Sequence, residues 1–344
     1  MRKLFFTLAA FLFVGQAISH ELADRIEQVL PSVAYISVDN YVDVDVFSLT
    51  NRSIKKFRQP SYPTTGSCFV IDGNKIVTNY HVIHNAVEKQ TKIYVSFYGS
   101  PNVRYEADIV GYDKIVDVAL LEIEGTHPSV QIKSNFDDVR MGESVFSISN
   151  YLTNKHSATQ GIISSLDRRD DRFPFMRFLQ LQILQGSGSS GGPTFDSDGK
   201  VIAINYIVHS MVPTQSQRVS VLSMSALTIR GDTLAKAIEN IKRDGIVTHS
   251  DLGVWMEPYG PYSNDYLFDP VTKDHTGILI KGTDNDDFRY HDIILEVEGR
   301  VFTEPRKLYE WLATKKIGDR INIKVYRQGK IINIDTEIRT AKRR

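Results

Sequence analysis

The sequence predicts a mainly β protein: a barrel or sandwich of many short strands, followed by a small domain that mixes strands with one helix. Three observations carry this. Short runs rich in Val, Ile, Phe and Tyr recur at turn-bounded intervals between Ser67 and Ser223. Sustained helical periodicity is rare, and is strongest at Asp232–Lys242 and Glu304–Lys315. The strand pattern closes on the first of these helices and restarts near Thr248, which marks a domain boundary there.

Taken in order, Met1–Ser19 has the layout of a secretory signal peptide. Arg2 and Lys3 form the basic start, Leu4–Val14 the apolar core, and Ala17-Ile18-Ser19 a small-x-small cleavage site. The alternative is an uncleaved anchor over residues 4–18, which is short for a bilayer span of about 20 residues. Export to a periplasm or a similar compartment is the expectation. Glu21–Leu30 places Leu22, Ile26 and Leu30 on one helical face, and Pro31 ends it. Val33–Val38 reads as a strand, and Asp39–Thr65 as a long polar and aromatic excursion. Strands are expected at 67–71, 75–78, 92–97, 105–112, 118–124, 144–149, 161–166, 176–184, 201–208 and 218–223. The second domain holds strands at 252–256, 277–281, 293–297, 321–326 and 331–338 around the Glu304–Lys315 helix. The expected organisation is therefore a signal peptide at 1–19, a first domain at 20–247 and a second at 248–344 with a short basic tail.

Composition excludes more than it identifies. The 344 residues carry 41 Lys+Arg against 41 Asp+Glu, so no basic field argues for nucleic acid. Cys68 is the only cysteine, which rules out an internal disulfide, and its apolar strand makes it a buried hydrophobe. His81 and His84 are three apart with no glutamate between them, which does not fit a helical zinc pair. No metal or cofactor is expected.

The chemistry points to Gly186–Phe195, which reads Gly-Ser-Gly-Ser-Ser-Gly-Gly-Pro-Thr-Phe. A hydroxyl flanked by glycines suits an acyl-transfer nucleophile, because a substrate backbone can come close and turns denied to other residues become available. Backbone N–H groups exposed by such a turn can converge on the oxyanion of a tetrahedral intermediate. A Gly/Ser linker is the plain alternative, but apolar strand-like runs bound this stretch on both sides. Such a nucleophile needs a histidine and a carboxylate. His81 stands where the strand Lys75–Thr78 turns toward a helical segment. Asp117 is a charge within the apolar run 115–121, costly there unless paired, and His81 is its natural partner. Asp113 reads as a turn residue.

Thr78-Asn79-Tyr80-His81-Val82, Asp117-Val118-Ala119-Leu120 and Gly188–Gly192, in the order His, Asp, Ser, resemble the HtrA/Deg family of chymotrypsin-fold serine proteases. Gly66-Ser67-Cys68-Phe69-Val70-Ile71, Gly161-Ile162-Ile163-Ser164 and Gly199–Asn205 extend the likeness. The second domain resembles the family's PDZ module through Leu252-Gly253-Val254, Ile278-Leu279-Ile280, Asp292-Ile293-Ile294, Glu298-Gly299 and Val325–Gly329. The resemblance implies two six-stranded β-barrels, chymotrypsin-like, followed by a small α+β PDZ domain. It implies a catalytic triad of His81, Asp117 and Ser190, with the N–H groups of Gly188 and Ser190 as the oxyanion hole. Leu184 would floor the primary specificity pocket and favour cleavage after small or medium apolar residues. Ile204, Asn205 and Tyr206 would pair with the substrate backbone, and Leu252, Gly253 and Val254 would receive a peptide's C-terminal carboxylate. Unfolded exported proteins as substrates, a trimeric building block, chaperone activity and a sensor loop at Asp167–Arg172 are implied as well.

Two departures stand out. Ser189 occupies the place where the family has Asn or Asp, which leaves both oxyanion N–H groups available. Ser189 is also a competing nucleophile, but only Ser190 directly precedes Gly191-Gly192. Phe288-Arg289-Tyr290-His291 replaces a small Ala/Gly-rich stretch of the PDZ module. The competing function is a holdase or peptide-binding module without turnover, against which the intact His81, Asp117 and Ser190 speak.

Overall fold

The computed structural model describes residues 21–48, 53–151, 154–168, 173, 175–208, 222–223, 225–260 and 276–342. The signal-peptide reading at 1–19 and most of the charged stretch Asp167–Arg172 lie outside them. No helix among the described residues is long and apolar enough to cross a membrane. The chain divides into two compact units. One comprises residues up to Asp113 with Asp117–Arg168 and Arg177–Ile246; the other comprises Lys114–Val116, Arg169–Met176 and Val247–Arg344.

The first unit opens with helix α1 (residues 21–29). Strands β1 (Val33–Ser48), β2 (Ser53–Asp72), β3 (Lys75–Thr78), β4 (Ile93–Phe97), β5 (Tyr105–Asp113) and β6 (Val118–Ile123) follow. They pair in the order β5-β4-β1-β2-β3-β6, and a β5–β6 pairing closes them into a barrel. Alternate residues point inward, so Ala34, Ile36, Val38, Cys68, Val70, Ile76, Val95 and Leu121 form one buried cluster. Burial raises the Cys68 thiol far above its ordinary range, leaving it a packed hydrophobe. Helix α2 (Tyr80–Lys89) leaves the end of β3 and lays Val82, Ile83 and Ala86 on that core.

The second barrel is built from β7 (Ser144–Tyr151), β8 (Asn154–Arg168), β9 (Phe178–Gln182), β11 (Pro193–Phe195), β12 (Val201–Val208) and β14 (Ala226–Arg230), in the order β11-β12-β14-β9-β8-β7. The two-residue strands β10 (Gln185–Gly186) and β13 (Leu222–Ser223) pair beside it. Helix α3 (Gly231–Asp244) buries Leu234, Ala237, Ile238 and Ile241, the spacing of one apolar stripe.

Three expectations need correction. Asp39–Thr65 is not a loose excursion: β1 and β2 continue through it as a paired ribbon, with Asp43 opposite Arg58, Val44 opposite Phe57 and Asp45 opposite Lys56. The alternation Tyr41-Val42-Asp43-Val44-Asp45-Val46 is a strand signal, and opposite charges across the pair reinforce it. Pro60 and Pro63 are tolerated because β3 pairs with β2 only from Phe69 onward. Asp113 is no surface turn residue but the buried last residue of β5. Strand β14, buried along its whole length, was not among the expected strands; of the strand expected at 218–223, Leu222–Ser223 is strand β13 and 218–221 lie outside the described residues.

After the short strand β15 (Ile246–Val247), the second unit continues with β16 (Ser250–Asp251). Its sheet runs β17 (Val254–Tyr259), β18 (Gly277–Thr283), β19 (Ile293–Val297), β21 (Arg320–Arg327) and β22 (Lys330–Glu337), with β20 (Arg300–Val301) off β19 and β23 (Arg339–Thr340) pairing β16. Helix α4 (Pro305–Leu312) buries Leu308, Tyr309 and Leu312 against it. Phe288 lies within that core, 3% exposed. Asp292, buried at the end of the same loop, takes both a fork of hydrogen bonds from Arg327 (2.8 and 2.6 Å) and the Arg289 N–H. The bulky Phe-Arg-Tyr-His stretch is thus anchored from inside.

Candidate active site

Helix α2 begins without a side-chain cap from its own N-cap residue, Asn79. Asp117 supplies what is missing. It sits in the tight turn before β6, at φ +62°, rather than inside the strand as the apolar run suggested. From there its carbonyl accepts the Tyr80 N–H at 3.1 Å and Asn79 Nδ2 at 3.0 Å. Its carboxylate Oδ1 accepts the His81 N–H at 2.9 Å, an anion satisfying an orphan donor at a helix N-terminus. Oδ2 lies 2.6 Å from His81 Nδ1. Asp117 is fully buried, whereas the His81 side chain is about one-third exposed. A carboxylate accepts only, so Nδ1 carries the proton and Nε2 is left as the basic nitrogen.

The nucleophile loop comes from the other barrel. Contacts press it against the first turn of α2: a Cβ added to Gly191 would fall 2.3 Å from Thr78 Oγ1 and 3.1 Å from Asn79 N. One added to Gly66 would touch both Val82 and the Ser190 carbonyl, so a larger residue there would have to displace the Val82 side chain and press on the nucleophile loop. Four carbonyls of the loop, those of Gly186, Gly188, Ser189 and Ser190, are held by named donors. Gly186 O accepts Ser189 N–H (3.0 Å) and Ser189 Oγ (2.7 Å); Gly188 O accepts Ser67 Oγ (2.9 Å). Ser189 O accepts Gly192 N–H (3.0 Å) and Asn205 Nδ2 (3.3 Å), and Ser190 O accepts Ser67 N–H (2.8 Å). By contrast, neither the Gly188 nor the Ser190 N–H donates to any group among the described residues. Gly188 reaches this arrangement at φ +92°, with Asn150 O where a Cβ would be.

The two serines separate clearly. Ser189 is buried with its hydroxyl engaged by Gly186, whereas Ser190 is half-buried and its Oγ makes no hydrogen bond among the described residues. That includes none to His81 Nε2, a bond that commonly tightens only around a substrate. His84, three residues past His81, pairs with Glu88 at 2.8 Å and takes no part.

Other expected site residues fall differently. Leu184 lies half-buried between β9 and β10. Of the three residues expected to pair with a substrate strand, two are closed to it. Ile204 is hydrogen-bonded into the sheet between Pro193 and Ile229. Asn205 donates its N–H to Gly192 O at 2.8 Å and accepts Gly191 N–H at 3.1 Å. Strand β11 ends opposite Ile204, so only from Tyr206 onward does that edge of β12 lie beyond it. Tyr206 places its ring 6.3 Å from that of His81.

Sequence reading missed the supports. Ser67, Asn150 and Asn205 are all buried polar residues tied to the nucleophile loop. A polar side chain within an apolar strand, as Asn205 is in Ala203-Ile204-Asn205-Tyr206-Ile207, was the available signal.

In the second unit, Leu252, Gly253 and Val254 form a turn at the mouth of β17, with Gly253 at φ +72°. Strand β17 is the sheet's edge. The expected carboxylate loop is partly filled, however. The Leu252 N–H already donates to Asp251 Oδ1 at 2.7 Å, and Asp251 is buried. Asn285 Nδ2 holds Leu252 O at 2.9 Å, and Tyr309 Oη lies 3.4 Å from Val254 O.

Comparison with known proteins agrees with this architecture. Residues 66–204 match the trypsin-like peptidase domain and residues 279–338 the PDZ domain. A probable periplasmic serine endoprotease, DegP-like, of Halomonas elongata is 30% identical over 281 residues, covering 79% of this chain and 56% of its own length. Its counterpart in Rickettsia conorii is 28% identical over 360 residues, covering 96% and 68%. The chain thus spans little more than half of the first of these relatives. Among solved structures, the HtrA-type protease AlgW with a decapeptide superposes with a TM-score of 0.69 at 22% identity, over 93% of this chain and 98% of that one. The serine endoprotease from Yersinia pestis gives 0.62 at 23% identity, over 92% and 97%. With its paired barrels, its PDZ-type sheet and these matches, the chain belongs to the HtrA/Deg family.

Proposed function

We propose that the chain is an exported serine endopeptidase acting on unfolded proteins, and that its PDZ domain binds peptides. The observation that carries the reading is the loop geometry: Gly188 and Ser190 present unspent N–H groups beside a hydroxyl, opposite a histidine held by a buried aspartate. Ser190 Oγ attacks the scissile carbonyl carbon while its proton passes to His81 Nε2. Asp117 fixes the tautomer and stabilises the imidazolium. The carbonyl oxygen, now an oxyanion, is received by the Gly188 and Ser190 N–H groups, each worth about 10²–10³ in turnover in comparable enzymes. His81 then protonates the leaving amine as the carbon–nitrogen bond breaks. A water, giving its proton to His81 Nε2, next attacks the acyl-enzyme ester, and the bond to Ser190 Oγ breaks as His81 returns the proton, releasing the carboxylic acid product.

Leu184 supports an apolar primary pocket. A lysine or arginine there would lose hydration without meeting a carboxylate, so cuts are expected after Val, Ala, Ile or Leu. The open edge of β17 suits an extended peptide added as a further strand. The names of the relatives support a periplasmic location; envelope quality control as the setting rests on the family likeness alone. A trimeric building block rests on the family likeness alone.

The test is degradation of unfolded casein by wild type and Ser190→Ala, with fluorophosphonate labelling and sequencing of the fragments. Labelling at Ser190 and loss of cleavage in the variant are expected. A stable oligomer that neither labels nor cleaves would instead identify a holdase, and a majority of cuts after Lys or Arg would remove Leu184 from the pocket.

A further inference from the structure

The geometry points to Ser67 as a positioning residue of the oxyanion hole, working across the two barrels on a loop it does not belong to. This rests on the protease reading above. A peptide group is planar, so fixing its C=O fixes the opposed N–H, and fixing one plane limits the rotation of the next. The plane between Gly188 and Ser189 is pinned at both ends: its C=O by Ser67 Oγ at 2.9 Å, its N–H by Gly186 O at 3.0 Å. The following plane has Ser189 O held by Gly192 N–H and Asn205 Nδ2, which turns the Ser190 N–H the other way. Gly188, the one residue between the first plane and its own N–H, is a glycine at φ +92° and would otherwise rotate with little resistance.

Ser67 is built for this task. Its hydroxyl has one proton and two acceptor sites, and all are used. It donates to Gly188 O and accepts both Asn150 N–H (2.8 Å) and Asn150 Nδ2 (3.1 Å). Two donors on the oxygen leave the proton only one useful direction, toward Gly188. Asn150 is itself fixed: its two Nδ2 protons are shared among Ser67 Oγ, Ala34 O and Gly66 O, and its Oδ1 accepts the His156 N–H. Meanwhile the Ser67 N–H holds Ser190 O at 2.8 Å, so one residue fixes the peptide plane that follows each oxyanion donor. Ser67 and Asn150 are 0% and 3% exposed, hence shielded from competing water.

Ser67→Ala removes only the hydroxyl and leaves the backbone grip. On a peptide p-nitroanilide ending in valine, kcat is expected to fall about tenfold or more, with KM within about threefold. A peptidyl trifluoromethyl ketone, whose adduct with Ser190 places an oxyanion in the hole, is expected to bind more weakly by the same factor as kcat/KM falls. Should Ser67→Ala fail to fold, Ser67→Cys, similar in size but a weak donor, gives the same two readouts. An unchanged kcat in the folded variant, or a lowered kcat with unchanged ketone affinity, overturns the assignment even if melting temperature drops. A wild-type enzyme that neither hydrolyses the anilide nor binds the ketone overturns the protease reading, and this inference with it.

Discussion

The nucleophile loop and the Leu252–Val254 turn are two versions of the same device. Each uses a glycine in the left-handed region, Gly188 at φ +92° and Gly253 at φ +72°, to turn the backbone, and the proposed function places an oxygen anion at each turn. They differ in what occupies the N–H groups there. Around Gly188 the carbonyls of Gly186, Gly188, Ser189 and Ser190 are engaged and, among the described residues, the two N–H groups are unspent; around Gly253 the Leu252 N–H is already satisfied by Asp251. A nest whose N–H groups meet no acceptor among the described residues suits charge as it develops. A nest holding its own carboxylate must first surrender it. The first arrangement suits a site required at every turnover, the second a site whose occupancy is conditional.

The largest effect the comparison foresees is at the first nest. Ser190→Ala and His81→Ala should each lower kcat/KM for casein peptides by about 10³-fold or more, and the double variant should lose little further, because the residues act as one unit. Asp117→Ala should cost stability as well as rate, since the same carboxylate caps α2 through the His81 N–H. A melting temperature for Asp117→Ala no lower than that of His81→Ala would show that the cap contributes nothing.

Next in size is the pair of glycine substitutions. Gly188→Ala puts a methyl 2.3 Å from Asn150 O at a strained φ, so the loop must move. About a hundredfold loss of kcat is expected, the size of losing one oxyanion donor. At Gly253 the nearest atom to an added Cβ is Asn285 Cβ at 3.4 Å, an ordinary contact. Gly253→Ala should therefore cost only about 1 kcal/mol of stability in its unit, from φ alone, measured by denaturant unfolding. Equal damage at both glycines would erase the distinction drawn between the nests.

Much of the first nest was legible in the sequence and little of the second. Ser190, His81 and Asp117 are residues whose chemistry is useless without partners, so each one asks for the others. The barrels were legible as short strands because one face of each is buried. The ribbon at Asp39–Thr65 was missed because its prolines and charges suggested a loop, although its alternation was strict. Ser67, Asn150 and Asn205 were invisible as a set because they meet only through barrel closure, across separations of up to 121 residues. Asn205 was even assigned the wrong role: a strand beside a nucleophile suggests substrate pairing, but its backbone is consumed by Gly191 and Gly192. Asp251 was overlooked because a carboxylate beside an expected carboxylate site gives no periodic or compositional signal.

Asp251 gives the smallest effect and the finest test of the comparison. A peptide's terminal carboxylate entering the turn would meet the Asp251 carboxylate a few ångströms away, and like charges that close repel by about 1–4 kcal/mol between water and a protein surface. It would also have to take the Leu252 N–H from Asp251 Oδ1, which holds it at 2.7 Å. Two substitutions separate these costs. Asp251→Asn keeps an oxygen to accept the Leu252 N–H but removes the charge; Asp251→Ala removes both. If repulsion dominates, both variants should bind a peptide with a free C-terminus about tenfold more tightly than wild type. If occupancy dominates, only Asp251→Ala should gain. In either case amidating the peptide should matter little to wild type and much to the improved variant, because only there does the turn grip a carboxylate. Calorimetry on the three proteins with matched free and amidated peptides reads all six values. Wild type that already loses tenfold or more on amidation, with no gain in either variant, would show that Asp251 swings aside without cost and that the two nests are equally ready.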